Sequence, residues 1–115
     1  MADQRDITED DDFFLGEDKQ LVFTITGEDI TGWSLSWMLK RYATDADANA
    51  KVTKTTPSGI ALTTPASGVC TVTVADTDTD TLAADTYVHE LKRTDPGFET
   101  VLTYGSCTLR QAVHR

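Results

Sequence analysis

The chain has little of what usually betrays a function. It holds two cysteines, Cys70 and Cys107, and three prolines in 115 residues. Two thiols cannot make a disulfide framework; small reduced core residues are the expectation, with a single disulfide left open. Basic residues are scarce, 10 against 19 acidic ones, for a formal charge of −9. So acidic a chain gains nothing from approaching nucleic acid or an anionic membrane, because counterion release requires positive charge. A basic protein surface is the natural partner. No apolar run nears the ~18–20 residues that span a bilayer. The start, residues 1–12, has no apolar stretch of the kind a secretory signal carries, so no leader is expected. Absent too are G-x-S-x-G, a phosphate loop, H-E-x-x-H and C-x-x-C, and with them the starting points of an enzyme mechanism.

What is abundant is threonine, with 20 residues, and aspartate, with 14 of the 19 acids. Threonine favours strands and aspartate favours turns and caps, a mixture that disfavours a helical bundle. A chain of this length fits one domain that buries about 65% of its unfolded surface. Residues 1–12 carry six acids against Arg5 alone, a net −5, and like-charge repulsion predicts an extended acidic arm. Phe13, Phe14 and Leu15 then form an apolar cluster that reads as a short first strand.

Period-2 alternation dominates the rest. Leu21, Phe23 and Ile25 alternate with Val22 and Thr24. Trp33, Leu35, Trp37 and Leu39 alternate with Ser34, Ser36, Met38 and Lys40. Lys51 to Thr55 reads as a polar edge strand, its lysines guarding against unwanted pairing. Ile60 to Leu62, Cys70 to Val74 and Tyr87 to Leu91 follow, and Asp95-Pro96-Gly97 predicts a hairpin turn. Phe98 to Tyr104 returns, with Gly105 permitting a bend or bulge before Cys107 to Leu109. Seven to eight short strands with regular punctuation predict an all-β, immunoglobulin-like antiparallel β-sandwich over 13–110, preceded by the arm of 1–12 and followed by a tail of 111–115. In such sandwiches a leucine plugs the base of the core at a sheet crossing, and a tyrosine returns its hydroxyl to the crossing backbone. Leu82 and Tyr87 fit those places. Trp37 fits the central core tryptophan and Trp33 the rim. His89, two residues after Tyr87, stands where antibody domains have a disulfide cysteine.

The stretches F-F-L-G-E-D-x-x-L-x-F from Phe13, T-G-W-x-L-x-W-x-L-K from Thr31, D-T-x-x-L-x-A-D-T-Y-x-x-E-L from Asp78 and G-S-C-T-L from Gly105 resemble immunoglobulin-like domains of tailed bacteriophage virions. The resemblance covers residues 13 to 109. It is nearest to the N-terminal domain of baseplate upper proteins and to small Ig-like modules on phage heads and tails. Its motifs specify the sandwich more than the task. Baseplate members usually carry further C-terminal domains, whereas this chain stops six residues after Leu109, which favours a free-standing accessory protein.

Each chemical candidate has a plainer reading. Asp76, Asp78 and Asp80 have the spacing of the first half of an EF-hand loop. Thr81 stands where glycine is needed, however, and Tyr87 where a bidentate acid is needed, so capping of a helical turn takes precedence over a weak Ca²⁺ site. His89 lacks a converging nucleophile at any family-like spacing and reads as a buried, hydrogen-bonded imidazole. Trp33, with Tyr42, could stack on sugar, but packing is the stronger expectation.

Protein binding remains. The expected partner-binding residues are Glu9, Asp10, Asp11 and Asp12 of the arm with Phe13 and Phe14 after it; neighbours on a strand point to opposite faces, so one phenylalanine can anchor on a partner. The resemblance implies a non-enzymatic virion structural protein, assembled in the host cytoplasm. The expectation is a capsid decoration (cement) protein that binds the major capsid protein, or another virion structural protein, as a homo-oligomer on the particle. The alternatives are a tail, neck or baseplate component and a carbohydrate- or receptor-binding domain. No cofactor, metal, nucleic acid or membrane enters this reading.

Overall fold

A computed structural model describes residues 3–7 and 13–111. Eight strands appear in chain order: β1 (Asp3–Gln4), β2 (Lys19–Thr24), β3 (Leu35–Lys40), β4 (Val52–Thr55), β5 (Ile60–Thr64), β6 (Val69–Val74), β7 (Asp85–Arg93) and β8 (Thr100–Leu109). One helical turn, α1 (Asp76–Thr79), joins β6 towards β7. The strands make two sheets, ordered β1-β8-β7-β3-β4 and β2-β6-β5. All pairings are antiparallel except β1 with β8, which is parallel. The molecule is the expected all-β, immunoglobulin-like sandwich.

Alternation does what the sequence predicted wherever one face is buried. On β3, Leu35, Trp37 and Leu39 are buried while Ser36, Met38 and Lys40 face outward. Leu21 and Phe23 of β2 meet Val72 and Cys70 of β6 in register and pack with Ile60, Leu91 and Leu109. Trp37 is fully buried at the centre. Its rim counterpart, Trp33, is only partly buried against the core. The Tyr87 hydroxyl donates to the Ala83 carbonyl at 2.8 Å, and Leu82 packs partly buried against the core beside it. This ties the sheet crossing to β7 as expected. In place of an inter-sheet disulfide, the rings of Phe23 and His89 lie 6.1 Å apart across the sandwich. Both cysteines are buried and neither is in a disulfide, and burial pushes the Cys70 thiol up to about 11.

The aspartates of the crossing cap it. Asp78 Oδ2 accepts the Ala75 amide at 2.7 Å, and Asp18 Oδ1 accepts that of Asp76 at 2.8 Å. A hydroxyl inside the same crossing, Thr79 Oγ1, accepts the Gly16 amide at 2.9 Å. The Asp95–Phe98 turn closes with the Phe98 amide donating to Asp95 O at 2.9 Å, Gly97 taking φ +84°. That is the conformation a glycine after proline supplies without steric cost.

Two local expectations are corrected. Gly105 does not bend the last strand: residues 100–109 form one strand, and the irregularity lies earlier. Leu91 faces Thr103 and Lys92 faces Val101, so Leu102 is the extra residue, a bulge that buries both Leu102 and Thr103. Phe13 to Leu15 do not form a strand; Phe14 makes a single parallel bridge to Arg110.

The largest difference concerns the N-terminus. Asp3 and Gln4 pair with Thr103 and Tyr104, Ile7 bridges Cys107, and the Ile7 side chain is wholly buried. Residues 3–7 are thus the outer strand of the five-stranded sheet, not part of a free arm. The physical reason is non-local: β8 offers an unpaired edge, and a single isoleucine flanked by acids is enough to enter the core there.

Candidate functional interface

The five-stranded sheet has one face on the core and one on solvent. Register places its outward side chains in rows: Thr55, Ser36, Lys92 and Val101; then Thr53, Met38, Glu90 and Tyr104; then Lys40, Val88 and Ser106. The twist of the sheet makes this face a shallow concavity of ≈ 620 Å³. Met38, Val88, Val101 and Tyr104 supply its apolar part, and Lys40, Lys92, Glu90 and Glu99 its charges. Tyr104 is 42% exposed. Lys40 Nζ is held by Asp47 Oδ1 at 2.6 Å and by the Asp45 carbonyl at 2.9 Å. The hydrogen bond from Lys40 holds the Asp47 carboxyl below the ordinary range. Lys40 and Asp47 are thus tied to each other at one end of the face, while Glu90 stands between Met38 and Tyr104 in the middle row.

The outward face of the three-stranded sheet is different. Gln20, Val22 and Thr24 pair with Thr73, Thr71 and Val69, and Thr63 and Thr71 share a hydroxyl hydrogen bond at 3.3 Å. Threonine dominates this face, with Thr24, Thr63, Thr71 and Thr73 on it.

The residues expected to bind a partner do not converge. Glu9, Asp10, Asp11 and Asp12 lie outside the described residues. Phe13 is fully buried and its carbonyl accepts the Arg110 amide at 3.0 Å, so it is a core residue and no anchor. Phe14 is half-buried with the Arg110 guanidinium 5.3 Å from its ring centre. Trp33 and Tyr42 flank opposite ends of β3 and share no site. Arg93 covers the Trp33 ring at 4.0 Å, stands 4.7 Å from the Phe98 ring, and pairs with Asp95 at 2.8 Å. A sugar would have to displace that stack.

Among the described residues no three of His, Cys, Asp and Glu come together as a metal site. The His89 ring points inward to the core, and both its nitrogens meet hydrogen-bond partners within the fold. The outward face was not singled out from the sequence, although it leaves a trace there. Met38 follows Trp37, Val88 follows Tyr87 and Val101 precedes Leu102, so these strands are apolar at both parities. Such strands have an apolar outer side as well as an inner one.

The sequence matches no protein-family model and no curated protein. Among solved structures the chain is similar to the NK cell receptor Nkp44, described as a triggering partner in natural cytotoxicity, with a TM-score of 0.51 and 17% identity over 97% of this chain and 99% of that one. At that identity the likeness concerns the fold, and the fold they share is the immunoglobulin-like β-sandwich.

Proposed function

We propose that this protein is a non-enzymatic structural protein of a tailed-phage virion, a decoration protein that docks on the capsid shell through the outward face of its five-stranded sheet. The observation that carries the docking half is the outward cluster of half-buried Met38, Val88 and Val101 with exposed Tyr104, interleaved with Glu90 and Lys92 and flanked by the Lys40–Asp47 pair. Apolar and aromatic area with polar groups around it is the build of a protein-binding patch. The virion half is supported by the sequence resemblance to Ig-like phage modules. The net charge of −9 favours a basic partner surface on the major capsid protein and steers the encounter. Many copies on a repeating lattice add stabilisation by mass action and avidity even when each contact is weak.

The test is co-sedimentation of the purified protein with undecorated shells, comparing wild type with Met38→Glu/Val88→Glu. Both positions face outward, so folding, followed by circular dichroism, is retained. Attachment is expected to weaken by about tenfold or more, the equivalent of ~1.4 kcal/mol. Equal attachment by the two proteins would refute docking through this face.

A further inference from the structure

His89 takes no part in the outward face, yet it is built into a specific contact. It is 3% exposed on the inner side of β7, with the rings of Phe23 and Trp37 each 6.1 Å away. The Trp37 indole N–H donates to His89 Nδ1 at 3.2 Å. An indole nitrogen can only donate, so Nδ1 must carry its lone pair and the ring proton sits on Nε2. That N–H donates to the Arg5 carbonyl at 2.6 Å.

The Arg5 carbonyl is out of its regular place. In a continued parallel ladder it would accept the Ser106 amide; that amide instead donates to Asp6 Oδ1 at 3.0 Å. The chain turns at Arg5–Asp6, the carbonyl going inward to His89 and the carboxylate replacing it on the ladder. Gly105 makes room, since a Cβ there would overlap the Arg5 carbonyl oxygen. On either side the ladder holds: Arg5 N–H to Tyr104 O at 2.8 Å, Ile7 N–H to Ser106 O at 2.8 Å, and Thr108 N–H to Ile7 O at 2.7 Å. The Arg5 guanidinium crosses to the other sheet, donating to Val22 O at 2.6 Å and lying 4.9 Å from the Phe23 ring centre.

We propose that residues 3–7 are an acid-released latch, fastened to β8 by neutral His89 and let go when that imidazole is protonated. The second proton must land on Nδ1, where it meets the Trp37 N–H, so two donors face each other in a dry site. Turning the ring away relieves that conflict and carries Nε2 off the Arg5 carbonyl. Two charged groups close to the ring come from the N-terminal segment. Asp6 favours the imidazolium, but it is exposed and engaged by Ser106 and Gln4; the Arg5 guanidinium on Phe23 opposes it. β2, β3 and β8 present Phe23, Trp37 and Gly105, which carry no charge, and burial keeps the core thiol of Cys70 protonated at these pH values. Release uncovers the β8 edge at Tyr104, Ser106 and Thr108. The inference does not depend on which partner the outward face binds.

The test is amide hydrogen exchange of the wild-type protein and His89→Gln between pH 7.5 and 5, alongside the NMR titration of the His89 ring. Glutamine can accept from Trp37 and donate to Arg5 without titrating. In the wild type, protection of the Arg5, Ile7, Ser106 and Thr108 amides should fall about tenfold in step with the titration of His89, while the β2–β6 ladder stays protected. His89→Gln should show no such fall. Protection that persists after His89 has titrated would overturn the proposal. So would the same fall in His89→Gln, or a midpoint below 4, which belongs to the Asp6 carboxyl. The Ser106 amide holds that carboxyl under its usual 3.8. Should His89→Gln not fold, the coincidence or mismatch of the two wild-type titrations decides the matter alone.

Discussion

Trp37→Ala is expected to lower the unfolding free energy by about 3–5 kcal/mol, the largest effect of any single substitution in the chain. Trp37 is the largest fully buried side chain, on β3, an interior strand of the five-stranded sheet paired on both sides. Two losses add. The cavity cannot be refilled by Ser36 or Met38, which face the other way, and His89 Nδ1 loses the donor that satisfies it. An orphaned buried acceptor costs about 1–3 kcal/mol on its own. Against a typical total of about 5–15 kcal/mol for a domain, the variant should be close to unfolded at 37 °C. Urea denaturation of wild type, Trp37→Phe and Trp37→Ala measures this. Phenylalanine should recover much of the packing without the hydrogen bond, and a loss below about 1 kcal/mol for alanine would show that the core centre lies elsewhere.

The second large effect comes from the N-terminal strand. Removing residues 1–7 should cost about 2–4 kcal/mol, combining the burial of Ile7 with the hydrogen bonds of Arg5 and Asp6. Gly105→Ala should produce a loss of similar origin, because its Cβ takes the place of the Arg5 carbonyl. Since both act through one contact, they should not add: the truncated protein with Gly105→Ala should be no less stable than the truncated protein alone. Thermal or urea unfolding of the four proteins forms the cycle. Full additivity would mean that Gly105 serves some purpose other than receiving the N-terminal strand, and an unchanged stability on truncation would restore the picture of a free arm.

These two effects differ in how far the sequence announces them. Trp37, Tyr87, Leu21 and Phe23 are legible because one-sided burial writes a period of two, and the tyrosine and leucine of the sheet crossing sit at readable offsets. The N-terminal strand is hidden. Two ladder residues and one isoleucine among acids give no periodicity. Their partners, Ser106, Gly105 and His89, are about 80 to 100 residues away along the chain, and the glycine that receives them reads locally as a bend. Phe13 and Phe14 are legible in part: alternation says that they point apart, as they do, but not that the core takes Phe13 and that Arg110 lies over Phe14. The outward face is partly legible, through strands apolar at both parities. What sequence order cannot supply is the registry that lines up Met38, Glu90 and Tyr104 from three strands in one row.

The accumulated charge also has a sharper position. The acids of the sheet crossing cap α1, and Asp95 and Asp47 are held below the ordinary carboxyl range by hydrogen bonds from Arg93 and Lys40. These carboxylates are structural, so neutralising the surface with salt should weaken encounter with a basic partner more than it weakens the fold.

The central claim, that the five-stranded sheet is the side by which the protein attaches to a virion shell, is tested most directly by an electron cryomicroscopy reconstruction of the assembled particle. The account predicts many copies repeating over the capsid lattice, with Met38, Val88, Val101 and Tyr104 against the shell protein and the threonine-rich face of β2, β6 and β5 turned to solvent. Copies confined to the tail, or a shell contact made by the threonine-rich face with Tyr104 left in water, would contradict it.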